Sequence, residues 1–291
     1  MGNFDGVHLG HQAVIDLARR AAAPATPLGV VTFEPHPRQF FAPDAPPFRL
    51  MNAEARRHRL EKLGVARLYE LPFDPALAAM SPRAFAEVVL TEGLGIAHVV
   101  VGADFRFGKG RTGTAADLAE LGRGLGFGTT VAELVHDDGA EISSTAIRLA
   151  LSEGRPRDAA RMLGHWHRIE GPVLHGDKRG RDLGFPTVNM AIAGLHPPRF
   201  GIYAVKVDVL SGPYVGTYDG AASLGTRPTF GENLPNFETF LFDFAGDLYG
   251  ADLSVALVDF LRPEIRFTSL PELIAQMEQD CAEARERLSS I

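Results

Sequence analysis

The sequence predicts an α/β N-terminal half followed by a small antiparallel β-barrel closed by a C-terminal helix. Three observations lead there. Short apolar runs alternate with amphipathic segments over the first half, the pattern of a mostly parallel sheet. After Trp166 the texture changes to six short β-like runs broken by glycine and proline, as in a small barrel. Finally, Leu273, Ile274, Met277, Cys281, Ala284 and Leu288 fall on one face of a terminal helix. A chain of 291 residues is long for one core, so two domains are expected, 1–163 and 164–291.

In the first half, strands are predicted over residues 28–33, 66–71, 97–101 and 128–134. Helices are expected over 11–23, 53–63, 82–92 and 114–124. Ser81 before Pro82 is a start signal, because proline at the first helical position loses only an N–H that lacks a partner anyway. Ser143 or Ser144 caps a helix running to about residue 152, and a short helix follows over 156–163. Barrel strands are read over 168–174, 187–190, 201–209, 214–224, 238–242 and 253–261. The last helix, 270–288, is opened by Ser269 as cap, Pro271 and Glu272.

Charge and composition exclude several functions. With 29 Lys+Arg against 36 Asp+Glu the net charge is −7, so no global positive field gathers DNA or RNA. Local basic clusters at 109–111 and 178–181 suit a small phosphate ligand, or are solvated loops. The single cysteine, Cys281, rules out an intramolecular disulfide and fits a reducing cytoplasmic compartment. No apolar run reaches the ~18 residues of a membrane span, and no charged head with an apolar stretch opens the chain. A homo-oligomer is compatible with all of this.

The first chemical signal is Gly2-Asn3-Phe4-Asp5-Gly6-Val7-His8-Leu9-Gly10-His11, three glycines and two histidines in a loop opening onto a helix. Unpaired N–H groups at a helix start carry partial positive charge, and glycines let phosphate oxygens approach. His8 and His11, three apart, can face one anion. Zinc is the rival ligand, but no cysteine or third histidine nearby completes a tetrahedral set. Two loop histidines without a role are the bland alternative.

His8-Leu9-Gly10-His11 resembles the HxGH signature of nucleotidylyltransferases, and residues 2–11 are similar to the FAD synthetase module of bacterial bifunctional riboflavin kinase/FAD synthetases. Residues 32–37, 102–108 and 142–148 resemble the same module. The resemblance implies a Rossmann-like nucleotidylyltransferase fold in which the phosphate of FMN attacks the α-phosphorus of ATP and pyrophosphate leaves. It implies ATP and phosphate contacts for Asn3, Phe4, Asp5, Gly6, His8 and His11. Asp104 then lies near the nucleoside, although a turn aspartate bonding its own backbone is the plain reading. Ser144, Thr145 and Arg148 are expected to bind the β and γ oxygens. A phosphate loop of this kind ordinarily leaves a buried strand, whereas only Met1 precedes Gly2 here. Weak adenylyltransferase activity or a destabilised N-terminal domain is therefore expected.

The second signal runs from His175 to Asn189, a basic glycine loop with Gly176, Lys178 and Gly184 ending in the strand Pro186-Thr187-Val188-Asn189. Thr187 and Asn189 are oxygen donors on one strand face that can help hold Mg2+, although such a pair is usually ordinary surface. The stretch resembles the GxPTAN element of riboflavin kinases, with Val188 where alanine is usual. Residues 201–205, 225–230, 238–244 and 261–264 continue the similarity. The resemblance makes Glu238 the base that takes the proton of the riboflavin 5′-hydroxyl as it attacks the γ-phosphorus of ATP. Phe240 stands where many relatives have histidine, so no role passes to that side chain. The expectation is an enzyme making FMN and then FAD from riboflavin and ATP. A kinase with an inactive N-terminal domain, and a non-catalytic flavin-binding regulator, are the alternatives.

Overall fold

The computed structural model describes residues 1–23, 25–133, 135–137, 140–175, 184–226 and 235–291. They form two compact units, Met1–Pro46 with Arg56–Ser143, and Pro47–Ala55 with Ser144–Ile291. The second unit thus contains the two helices that the sequence reading grouped with the α/β half.

In the first unit, α1 (Leu9–Ala21) leads to β1 (Gly29–Glu34), α2 (Pro37–Phe41), α3 (Ala53–Lys62, whose first turn belongs to the other unit) and β2 (Arg67–Pro72). Two short helices, α4 (Pro75–Ala79) and α5 (Pro82–Ala84), come next, each with proline inside a capped first turn. Asp74 and Ser81 accept the cap bonds, from the amides of Leu77 and Ala84. Past Ala84 the expected α-helix widens into a π-helix over Phe85–Gly93, and its i→i+5 spacing brings Phe85 and Leu90 together inside. Then come β3 (His98–Gly102), the hairpin β4 (Arg106–Phe107) and β5 (Gly113–Thr114), α6 (Ala115–Leu125) and β6 (Gly128–Ala132). A last hairpin pairs β7 (His136–Asp137) with β8 (Ala140–Glu141).

The sequence predicts one parallel sheet. The structure has two parallel pairs, β1 with β2 and β3 with β6. The first two residues join them: the Met1 ammonium donates to Val100 O at 2.9 Å and the Gly2 amide to Val31 O at 3.1 Å. Met1 is buried with Phe85, Leu90, Val99, Val101, Phe107 and Leu118 in the core beneath β3.

The second unit opens with α7 (Ser144–Ser152) and α8 (Pro156–Leu163), whose inner residues Ile147, Leu151, Ala159 and Leu163 bury Leu50 of the Pro47–Ala55 strap. Arg49 bridges Leu195, and Asn52 Nδ2 donates to Glu170 O at 2.9 Å. The remaining strands are β9 (His167–Pro172), β10 (Thr187–Ala191), β11 (Gly201–Val209), β12 (Gly216–Thr226), β13 (Pro235–Leu241) and β14 (Asp252–Arg262). All pair antiparallel in the order β10-β13-β12-β11-β14-β9. The curled sheet meets itself at a bridge where the Leu174 amide donates to Asn189 O at 2.8 Å. Strand alternation fills its interior with Met190, Val205, Val207, Leu224, Phe237, Leu253 and Val255.

Helix α9 (Leu270–Ser289) lies on the outer face, burying Ala284 and Leu288 against Ala204, Ala221, Phe242 and Val258. Asp280 also lies on its buried stripe, which apolar spacing alone does not foresee. Its carboxylate takes a two-pronged hydrogen bond from Arg262, at 2.8 and 2.6 Å.

Candidate active sites

The glycine-histidine loop of the first unit is held by backbone strain. Phe4, Gly6 and Val7 have φ of 51°, 89° and 44°, so two non-glycine residues, one of them β-branched, occupy left-handed space. Both are sealed inside, with exposures of 1% and 0%, and their burial offsets the strain, which typically costs ~1–3 kcal/mol per residue. Sequence reading finds the glycines but not the Phe4 and Val7 conformations, because nothing local favours them. The loop is tied down by the Thr32 hydroxyl donating to Asn3 O at 3.2 Å and by Gln12 Nε2 donating to Val7 O at 2.9 Å.

His8 takes the cap position of α1, and its carbonyl accepts from the Gln12 amide at 3.0 Å. The His8 and His11 rings stack with centroids 3.7 Å apart, and Phe4 packs on His11 at 4.9 Å. Gly10 permits the stack, since a Cβ there would lie 3.1 Å from the His8 ring. Burial, then the charge of His8 and that of the N-terminus, push the His11 pKa well below the usual imidazole value. His11 is therefore neutral at neutral pH, a polar group able to donate to an anion without the cost of burying a charge.

Asp5, within this loop, is buried, while Asp104, after β3, is exposed. Ser144 and Thr145 are the first two residues of α7, which places Ser143 at the cap position. Arg148, one turn on, donates from Nε to Phe48 O at 2.6 Å, and its guanidinium lies 5.5 Å from the Phe48 ring centre. The histidines belong to the first unit and this helix to the second.

The other candidate site is on the outer face of the curled sheet. Glu238 in β13 pairs with Asn189 in β10 and with Ser223 in β12, and Phe240 pairs with Thr187. Strand alternation therefore puts Thr187, Asn189, Ser223, Asn236, Glu238 and Phe240 on one face. The Thr187 hydroxyl donates to Glu238 Oε2 at 3.3 Å, and Asn236 Nδ2 donates to Oε1 at 2.7 Å. Phe185 packs edge-on to Phe240 at 5.4 Å. Gly225, paired with Asn236, lies beneath the Glu264 carboxylate, and a Cβ at 225 would be only 1.9 Å from Oε1, so a side chain there would push the Glu264 carboxylate aside. Gly184 is a left-handed turn residue with φ 83°, followed by exposed Pro186. Gly176 and Lys178 lie outside the described residues, as does most of the basic loop.

Two family models match the chain, one described as FAD synthetase over residues 1–146 and one as riboflavin kinase over 163–288. A bifunctional riboflavin kinase/FMN adenylyltransferase of Pseudomonas fluorescens is 42% identical over 287 residues, covering 98% of this chain and 91% of that protein. The chain belongs to the bifunctional riboflavin kinase/FMN adenylyltransferase family. The Bacillus subtilis (strain 168) protein of the same name is 37% identical and covers 100% of this chain and 92% of its own. A crystal structure described as a macrolide-efflux protein from Streptococcus pneumoniae matches with a TM-score of 0.84 at 31% identity, over 96% of this chain and 90% of that one. Among the described residues, no helix is long and apolar enough to cross a membrane.

Within this family frame, two residues of the outer face escape motif reading. Asn236 and Ser223 belong to no glycine loop and no signature. The period-2 alternation of β13 was the available signal for Asn236, since it stands two residues before Glu238 on the same side.

Proposed function

We infer that the chain converts riboflavin to FMN and then FMN to FAD, spending one ATP at each step. The observation that carries the reading is the Glu238 carboxylate hydrogen-bonded by Thr187 and register-paired with Asn189 on one outer face. In the kinase step, Glu238 accepts the proton of the riboflavin 5′-hydroxyl as that oxygen attacks the γ-phosphorus, and ADP leaves. Thr187 and Asn189 are hard oxygen donors on one strand face, a set that fits Mg2+ rather than a softer metal. Bound there with ATP, the ion would neutralise charge on the transferring phosphates.

In the second step a phosphate oxygen of FMN attacks the α-phosphorus of ATP, the α–β bridging bond breaks and pyrophosphate departs. No covalent enzyme intermediate is needed, so alignment and charge stabilisation supply the catalysis. The neutral His11 and its stacked partner His8 donate to the phosphate oxygens. The family resemblance gives Asn3, Phe4, Asp5, Gly6 and Asp104 to nucleotide binding and Ser144, Thr145 and Arg148 to the outer phosphates. It likewise gives Gly176, Lys178, Gly184 and Pro186 to the kinase phosphates. Net charge −7 and the single cysteine support small-molecule substrates, without nucleic acid, in a reducing cytoplasm.

Product analysis tests this. Incubation of the chain with riboflavin, ATP and Mg2+ should give FMN with ADP, followed by FAD with pyrophosphate. FMN alone would restrict the activity to the kinase, and no turnover would leave a flavin binder.

A further inference from the structure

We propose that Asn236 is a positioning residue of the kinase step, holding the Glu238 carboxylate in the orientation from which it takes a proton. The inference rests on Glu238 being the kinase base.

A glutamate on a half-buried strand has three side-chain torsions, and an unrestrained carboxylate spends most of its time away from any one productive geometry. A general base acts only within hydrogen-bond reach of the proton it removes, about 2.6–3.2 Å between heavy atoms. Here each carboxylate oxygen has a donor from a different strand. Asn236 Nδ2, on the same strand as Glu238, donates to Oε1 at 2.7 Å, and the Thr187 hydroxyl, from β10, donates to Oε2 at 3.3 Å. The shorter and better-formed bond is that of Asn236.

Two donors on two different oxygens fix both the direction and the plane of the group. A carboxylate has about four lone-pair sites, so capacity remains for a substrate hydroxyl. Among the described residues, the side-chain bond of Asn236 is the one to Glu238. Its cross-strand partners are Ala191 and Gly225, neither of which brings a hydrogen-bonding side chain, and its amide turns along its own strand onto Glu238. The amide is uncharged, so it orients the carboxylate without the ion pair that a lysine or arginine would form there. Among the described residues, the Glu264 carboxylate also stands over this face, above Gly225.

The test uses the full chain, with riboflavin phosphorylation and FMN adenylylation measured separately on each preparation. Asn236→Ala is expected to lower kcat for FMN formation about tenfold, the loss of one hydrogen bond to a charged group. The KM for riboflavin should stay within about twofold, since Asn236 touches the base and not the substrate. Asn236→Asp keeps the shape, removes the donor and adds a like charge beside Glu238, so its kcat should fall further. Asn236→Gln, which restores an amide N–H, should recover part of the lost kcat. Adenylylation of supplied FMN should be unchanged in all three.

An Asn236→Ala kcat within twofold of the parent overturns the proposal. So does an Asn236→Asp enzyme as active as the parent, or a loss in Asn236→Ala that appears in KM and is not recovered by glutamine. Glu238→Gln serves as the separate control: full kinase activity there would remove the reading beneath the proposal, whereas an inactive Glu238→Gln with a normal Asn236→Ala would defeat the proposal alone.

Discussion

The loop at residues 2–11 and the outer face around Glu238, the two sites proposed to handle phosphate, are built in opposite ways. The loop works through backbone: left-handed Phe4 and Val7, a glycine at 6, a helix start at Leu9, and two stacked imidazoles, His8 buried and His11 partly buried. The outer face works through side chains standing on ordinary extended strands, half-exposed and hydrogen-bonded to one another. A site of the first kind depends on tenths of an ångström in packing. One of the second kind depends on which functional group each strand position carries.

The largest effect expected from this contrast is at Glu238. Glu238→Gln keeps the shape and removes the proton acceptor, so FMN formation should drop by about 10²–10⁴-fold, the usual contribution of a general base. FAD formation from supplied FMN should be untouched, and chromatographic separation of FMN and FAD checks both at once. His11→Ala is expected to do the reverse. Removing one donor to the transferring phosphates should lower adenylylation about 10²-fold and leave riboflavin phosphorylation at the parental rate.

Acid should weaken both units, since burial keeps His11 in the first and His167 in the second neutral, and the second can be followed by itself. Burial, then the charges of His165 and His196, depress the pKa of His167 to about 3. An unfolded histidine takes up a proton below about pH 6.5, whereas folded His167 stays neutral until about pH 3. The second unit therefore loses stability as pH falls below ~6.5, at roughly 1.4 kcal/mol per unit. Asp158 and Asp243, hydrogen-bonded by Arg155 and Arg285 respectively, also have depressed pKa values. Their contribution is lost only at more acid pH, below about 3.9. The sole tryptophan, Trp166, packs beside α9 and reports on this unit. Urea unfolding followed by its fluorescence should show a loss of about 2 kcal/mol between pH 7 and pH 5. An unchanged midpoint and slope would contradict the neutral burial of His167.

The smallest expected effect probes the packing of the histidine loop. Gly10→Ala puts a methyl group 3.1 Å from the His8 ring, close enough to push it off His11 by a few tenths of an ångström. Alanine is favoured over glycine inside a helix by about 1 kcal/mol. Adenylylation should therefore fall severalfold while the melting temperature of the chain holds or rises slightly, measured by calorimetry beside the FAD assay. A fall in melting temperature with normal FAD formation would place the role of Gly10 in folding instead.

Read from residues alone, the longer helices and strands were legible to within a few positions, whereas the short α2 and α4 and the two small hairpins were not. The helix over 156–163 and the strand over 201–209 coincide with α8 and β11, because proline at a helix start and strict alternation are strong local signals. The π-helix after Ala84 was not legible, since only the packing of Phe85 and Leu90 against their core selects it over an α-helix. Both sites announced themselves where glycines and a strand motif stand close in sequence. Ser223 was missed because its neighbour Glu238 comes from another strand, and Asn236 because it stands outside any motif, although two residues before Glu238 on the same strand.

The amino-acid sequence by itself determined the order of elements, the two-part organisation and the residue types able to handle phosphate, since each follows from local propensity and spacing. Tertiary structure alone decided the left-handed conformations of Phe4 and Val7, the His8–His11 stack, the burial of Asp280 by Arg262 and the meeting of Glu238 with Thr187. Each of these is costly or meaningless in an isolated segment and persists only because residues remote in the chain supply the burial, the opposite charge or the hydrogen-bond donor.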